Sequence, residues 1–260
     1  MKNLSAALWA EYMKTRNSKI LWISVILFIF IPIMMGFMIY IIRHPDISAK
    51  MGLISAKASL FAVADWTAFF GILHQSIASI GLIGFGFVTS WVFGHEYIER
   101  TIKDILILPI SRSYIVLAKF IIIFFWSIIL VIVLFIAGIL TGKVVGISGW
   151  SSQVFCNGVS KYFVTSFLTF LLCPPVAFLA CYSRGIIGPI GFVIITMILA
   201  QFIALAGLGA FFPWAIPGLY TAPEGTEGMQ LFMSSYIILL ITSVFGYIAT
   251  LYWWRHADHH

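Results

Sequence analysis

The chain has 260 residues, 62% of them hydrophobic and only 9% charged, against about 45–50% and about 25% in an ordinary soluble domain. Its mean hydropathy is +1.06 and its formal net charge +6. Nine acidic and fifteen basic side chains cannot clothe a water-soluble globule of 29.1 kDa, which excludes a cytosolic enzyme, a secreted disulfide scaffold and a disordered chain, and leaves an integral membrane protein.

In chain order, residues 1–19 read as an amphipathic helix. Leu4, Ala7, Leu8 and Tyr12 fall on one face, with Lys2, Glu11 and Lys14 elsewhere, the pattern of a helix lying in the membrane interface. It serves either to anchor the first span or also to touch a soluble partner through its polar face. The apolar run Ile20–Ile42 is about twice the length of a signal-peptide core and no small-x-small site follows it, so it is expected to stay as an anchor. Further runs at Ala68–Phe93, Tyr114–Leu140, Tyr162–Cys181, Gly185–Leu208 and Leu231–Trp254 each reach the roughly 20 residues that a spanning helix needs. Barrel strands would show a polar residue at every second position, so these are helices. The fold expected is all-α, one six-span membrane domain over residues 1–260.

The basic residues set the orientation. Lys2, Lys14, Arg16, Lys19, Arg100, Lys103, Arg112, Lys119, Arg184 and Arg255 fall on one side, against Arg43, Lys50, Lys57, Lys143 and Lys161 on the other. The excess predicts a multi-pass protein of the plasma membrane with both termini in the cytoplasm. These residues flank spans and show no interleaving with exposed aromatics, so nucleic acid is not an expected partner; membrane lipid is. The three cysteines, Cys156, Cys173 and Cys181, have no ligand spacing and are assigned neither a disulfide nor a metal.

Residues 95–109, between spans two and three, carry the most information. Ile98, Ile102, Ile105 and Leu106 share one face of a helix, Glu96, Glu99, Arg100 and Lys103 mark the polar side, and Pro109 ends it. Such a rod held between two spans is a lever: whatever docks on it can move both.

The outer stretch 209–230 contains Phe212-Pro213-Trp214 and Pro217 and has no Lys or Arg. It is apolar, too short to cross and broken by proline, so a re-entrant segment capping the outer mouth is expected. Within the spans, His74, Gln75, Ser79 and Gly86 of span two and Thr196 and Gln201 of span five mark either close helix packing or a path through the membrane. The span centres lack a carboxylate, which disfavours coupling to protons or sodium. His95-Glu96-Tyr97-Ile98-Glu99 lacks the second histidine of a zinc-protease box, and Gly142-Lys143 lacks the remainder of a phosphate-binding loop. No catalytic residue is assigned.

The run Glu96-Tyr97-x-x-x-Thr101-Ile102-Lys103-x-Ile105-Leu106-x-x-Pro109-Ile110-Ser111-Arg112, with Ala118-Lys119 in the next span, resembles the coupling-helix signature of ABC-2 type transporter permeases. Glu11-x-x-Lys14 resembles their amphipathic leading helix, with Leu8 on its apolar face. Members usually carry a glycine or other small residue before the threonine, where this chain has Arg100. The Phe-Pro-Trp-x-x-Pro run is similar to that of permeases from bacitracin and lantibiotic-immunity exporters. The resemblance implies a permease subunit without its own ATPase site. Two copies of a separate ABC ATPase, which would hold the ATP and magnesium, would dock on Glu96 to Leu106. A second permease chain, identical or closely related, would complete a path lined by spans two and five. The cargo implied is an amphipathic or hydrophobic molecule moved outward, antimicrobial or toxin peptides foremost, for self-protection. A channel or secondary transporter working without ATP is the alternative.

Overall fold

The computed structural model describes residues 2–43, 65–102, 110–222 and 231–256. Its helices are α1 (Lys2–Asn17), α2 (Lys19–Arg43), α3 (Trp66–Ile98), α4 (Arg112–Val144), α5 (Ser152–Phe170), α6 (Cys173–Tyr182), α7 (Ile187–Leu205), α8 (Ile216–Thr221) and α9 (Met233–His256). Among the described residues, β-pairing is confined to an isolated bridge between Asp65 and Ser148. Among the described residues, six stretches are long and apolar enough to cross a membrane: α2, α3, α4, the pair α5–α6, α7 and α9. They match the six spans expected from hydropathy.

Local chemistry sets the boundaries. Ser18 separates α1 from α2 and its hydroxyl accepts the Leu21 N–H at 3.3 Å, an N-cap that restarts the helix. Asp65 caps α3 through Ala68 N at 2.9 Å, and Ser151 caps α5 through Val154 N at 3.2 Å. The fourth span begins at Ser152, ten residues before the expected Tyr162, and is broken at Leu171–Leu172. Pro174 and Pro175 cause the break: neither can donate to a carbonyl one turn back, and both are tolerated only where a new helix begins. The last span wedges against this break. Gly246 of α9 faces the backbone of Pro174 and Pro175 so closely that any side chain there would overlap it.

α3 is the central helix, with α4, α5, α6 and α7 packed on it, while α1 and α2 lie along α4 and α9 lies along α6. The core joins Phe69, Leu73, Phe85 and Phe93 of α3 to Ile123, Leu130 and Leu134 of α4 and Tyr162 of α5. Outward faces are apolar, as with Ile26, Phe30 and Ile33 of α2 and Ile195, Phe202 and Leu205 of α7, the surface that hydrocarbon solvates. Charged groups gather at the two ends. Lys14, Lys119, Arg112 and Arg255 lie with the chain termini: Arg112 donates to the Trp254 and Arg255 carbonyls, both at 3.1 Å. Lys143, over the Trp150 ring at 5.6 Å, and Lys161, donating to the Ala222 carbonyl at 3.3 Å, lie at the other end.

Two expected elements take a different form. The leading helix presents Ala7, Glu11 and Thr15 inward, so its buried stripe includes a carboxylate, while Tyr12, expected on the apolar face, is exposed. Residues 95–98 are the last turn of α3 rather than the start of a separate rod. Thr101 N–H donates to Glu96 O at 3.1 Å and Arg100 N–H to Tyr97 O at 3.4 Å, with Arg100 left-handed at φ 59. This Schellman turn closes α3; Thr101 and Ile102 follow it. The interruption shifts the helical phase, so Ile98 is exposed and Ile102 buried instead of sharing a face. Lys103, Ile105, Leu106 and Pro109 lie outside the described residues.

Candidate coupling site and intramembrane cavity

At the terminus-bearing end, three helices converge on one ammonium. Lys119 lies two turns into α4, about 10 Å from its start at 1.5 Å per residue, and is completely buried. Its Nζ donates to Glu96 Oε1 at 2.7 Å, Glu11 Oε2 at 3.1 Å and the Val92 carbonyl at 3.0 Å. An ammonium has three N–H groups, and all three are used. The rings of Phe93 and Trp254 flank it at 5.7 and 6.0 Å, adding attraction between cation and ring. Lys14, half-exposed, binds the outer side of the cluster, meeting Glu11 Oε1 at 3.1 Å and Glu96 Oε1 at 2.8 Å.

Two carboxylates and two ammonium groups balance. Removing any one would leave an uncompensated charge in a medium that penalises it by several kcal/mol. This four-membered clasp ties α1, α3 and α4 together immediately before the turn at Arg100. Glu96 and Glu11, expected on solvent-facing polar surfaces, are turned inward, with 3% and 7% of their side chains exposed. Both are engaged in ion pairs within the chain. Tyr97 is half-buried, Glu99 and Arg100 are exposed, and Thr101 is half-buried. His95 Nε2 meets Glu99 Oε1 at 3.1 Å, and its ring stacks on Trp91 at 4.6 Å. Arg112 fastens α4 to the end of α9 through the carbonyl bonds given above. Leu8 is half-buried on α1.

Sequence reading placed Lys119 just inside a span without giving it a role. The signal was available: a lone cation well inside an apolar helix requires a partner. What hid the cluster is that its acids come from segments read separately, as an interface helix and a lever.

The second site lies between α3, α7 and α8. A cavity of about 320 Å³ is lined by Gln75 and Ser79 of α3, Gln201 of α7 and Trp214, among others. Gln75 and Gln201 are exposed along helices that span the membrane. Gln75 Oε1 accepts the Thr221 hydroxyl at 2.7 Å, which fixes α8 to α3. The Trp214 Nε1–H is buried without a hydrogen-bond partner, and the Trp214 ring packs edge-on to Phe192 at 5.2 Å.

The other three residues proposed for the path sit elsewhere. His74 is buried and faces α5, where Nε2–H donates to the Gly158 carbonyl at 2.8 Å. Gly86 packs on α7, where a Cβ would lie 2.8 Å from Val193 Cγ2. The Thr196 hydroxyl is satisfied by the Phe192 carbonyl of its own helix at 2.8 Å. Residues 209–222 fold as two 3-10 turns, Gly209–Phe211 and Pro213–Ala215, followed by α8, with Pro213 and Pro217 each near the start of a turn. Residues 223–230 lie outside the described part.

Residues 7–202 match the description "ABC-2 family transporter protein", and the chain belongs to this family: it is a membrane subunit of an ABC transporter. It is 27% identical over 182 residues to the bacitracin transport permease protein BCRB of Bacillus licheniformis, a match covering 70% of this chain and 86% of that protein. No solved structure matches.

Proposed function

We propose that the chain is the permease subunit of an ATP-driven exporter, and that the clasp around Lys119 transmits movement from docked ATPase subunits into the spans. The observation that carries this reading is the clasp itself. It ties the end of α3 to α1 and α4 at the point where the chain leaves the membrane toward residues 103–109. A force applied to that segment is then shared among three helices. With Glu96 buried, docking falls to Glu99 and Arg100, which are exposed, and to the residues that follow them. Two ATPase subunits, loaded with ATP and magnesium, would grip two such segments, shifting the inward-open to outward-open balance through unequal affinity for the two states. The clasp end faces the cytoplasm, in line with the excess of Lys and Arg there.

The path lies along the Gln75–Ser79–Gln201 face. Polar side chains exposed along a span face a wet cavity or another protein surface rather than lipid, which supports a second permease chain, identical or closely related, across this face. Its neutral amides and the unmatched Trp214 N–H suit an amphipathic cargo with carbonyl groups and apolar side chains. The kinship with a bacitracin transport permease supports antimicrobial peptides as that cargo and self-protection as the purpose.

The test is reconstitution of the chain with its ATPase into liposomes, with bacitracin as probe. ATP-dependent movement of bacitracin across the bilayer is expected. Movement by the chain alone without ATP would instead support a channel or secondary transporter, and a complex whose ATPase rate and transport ignore every peptide tested would refute peptide export.

A further inference from the structure

The last span ends in a joint with the first turn of α4. Carbonyls in the final turn of a helix have no partner within it, and two of these in α9, those of Trp254 and Arg255, accept from Arg112 Nη1, both at 3.1 Å. A guanidinium Nη carries two N–H groups and so reaches both carbonyls, and a cation at a helix C-terminus is also favoured by the helix dipole. The bonding runs in the other direction as well: Arg255 Nε and Nη2 donate to Ser113 Oγ at 3.1 and 2.8 Å. Two consecutive residues of α4 thereby hold two consecutive residues of α9. Further along α4 the two helices still touch, with the Phe120 and Tyr247 rings at 5.1 Å.

The position of the joint bears on coupling. Arg112 is the first residue of α4, the point at which the chain returns to the membrane after residues 103–111. The clasp stands at the other flank of that segment, where α3 ends. Trp254 meets both flanks: its carbonyl takes Arg112, and its ring lies 6.0 Å from the Lys119 ammonium. Its indole N–H donates to Cys181 Sγ of α6 at 3.2 Å, and the side chain is wholly buried. Helices in apolar contact alone can slide past one another, whereas charge-assisted bonds from a guanidinium add a geometric constraint.

We infer that Arg112 is a positioning residue for coupling: it makes the first turn of α4 and the last turn of α9 move as one body, so that displacement of the 103–109 segment also reaches the last span. The inference rests on the exporter reading above and extends it, since the clasp reaches α1, α3 and α4 and this joint adds α9. Arg112 acts through α9 and not by touching the ATPase.

Two measurements test it on the full chain assembled with its ATPase in liposomes. The first compares the bacitracin moved per ATP hydrolysed between the wild type and Arg112→Leu. A fall of at least fivefold in that ratio is expected, with ATPase binding and basal ATP hydrolysis within twofold of wild type; a cap that only stabilises α9 would not separate the two activities. An unchanged ratio would overturn the inference and leave the exporter reading intact, and loss of ATPase binding would reassign Arg112 to the docking contact. The second measurement needs no cargo. Spin labels are placed at Tyr114→Cys and Tyr252→Cys, exposed positions on α4 and α9, in a Cys156→Ser background, since Cys156 is the exposed native thiol. The distance between them is expected to be the same without nucleotide and with a non-hydrolysable ATP analogue bound, and to differ between those states once Arg112→Leu is added. A nucleotide-dependent distance with Arg112 in place, or a distance that nucleotide alters in neither chain, would overturn the inference. Failure of the ATPase to assemble with the wild-type chain would instead refute the exporter reading, and the inference with it.

Discussion

Glu11 of the leading helix and Glu96 at the far end of α3 share one ammonium, that of Lys119, at 3.1 and 2.7 Å. The helix that precedes the first span is thereby an integral part of the bundle. Its charged face is spent on an internal bond that neither acid could make alone.

Lys119→Met leaves two buried carboxylates facing each other with only Lys14 to offset them. Loss of one partner from a buried ion cluster destabilises by about 3–5 kcal/mol, so a large fall in the melting temperature of the purified chain in detergent is expected. The triple variant Glu11→Gln, Glu96→Gln, Lys119→Met removes the charges together and is expected to regain more than half of that loss. A triple variant less stable than Lys119→Met would show that the ions hold the helices by more than mutual compensation.

Arg100 occupies a left-handed position, φ 59, where an L-residue is disfavoured by about 1–2 kcal/mol and glycine is not. Arg100→Gly is expected to leave stability unchanged or raise it by up to about 1 kcal/mol, set against glycine's greater chain entropy. Arg100→Val, β-branched, is expected to lower it. Thermal melts of the two variants side by side check the sign.

The six spans were legible because apolar length is a signal carried by every residue of a segment. Arg100 was also visible as a departure from the signature that the run resembles, but its meaning was conformational. The position closes a helix, so the periodicity drawn from Ile98 to Ile102 crossed a break that hydropathy does not register. The clasp was illegible for another reason: Glu11, Glu96 and Lys119 lie in three segments, and only their packing brings the two carboxylates within 3.1 Å of the ammonium. In the cavity, residue type alone could not sort Gln75, Ser79 and Gln201 from His74, Gly86 and Thr196. A histidine donating to a carbonyl of the neighbouring helix and a glutamine facing a cavity look alike in sequence.

Gly246→Leu introduces a side chain where α9 meets the prolines of the fourth span. Overpacking of this kind costs about 1–3 kcal/mol, occasionally more, and here backbone atoms must yield. Reduced yield of folded chain and a lower melting temperature are expected, whereas Gly191→Ala, which meets nothing within 4 Å, should change neither. Fluorescence-detected size exclusion of the two variants makes the comparison.

Gln201→Leu and Gln75→Leu remove polar groups from the cavity. A typical hydrogen bond contributes about 0.5–1.5 kcal/mol, up to roughly tenfold in affinity. Gln201→Leu is expected to weaken bacitracin-dependent stimulation of the ATPase complex by up to that factor at unchanged thermal stability. Gln75→Leu also frees Thr221, and so should lower both. Full stimulation in both variants would place the cargo elsewhere.

The proline pair in the fourth span divides it into two short rods with different loyalties. The first rod, α5, is bound to α4 by the Tyr162 hydroxyl donating to the Val131 carbonyl at 3.0 Å and to α3 by His74. The second rod, α6, is seated against α9, with the Trp254 indole N–H donating to Cys181 Sγ at 3.2 Å. The fourth span is therefore jointed at Leu171–Leu172, and its two rods are tied by side-chain bonds to different neighbours, with α3 packed against both.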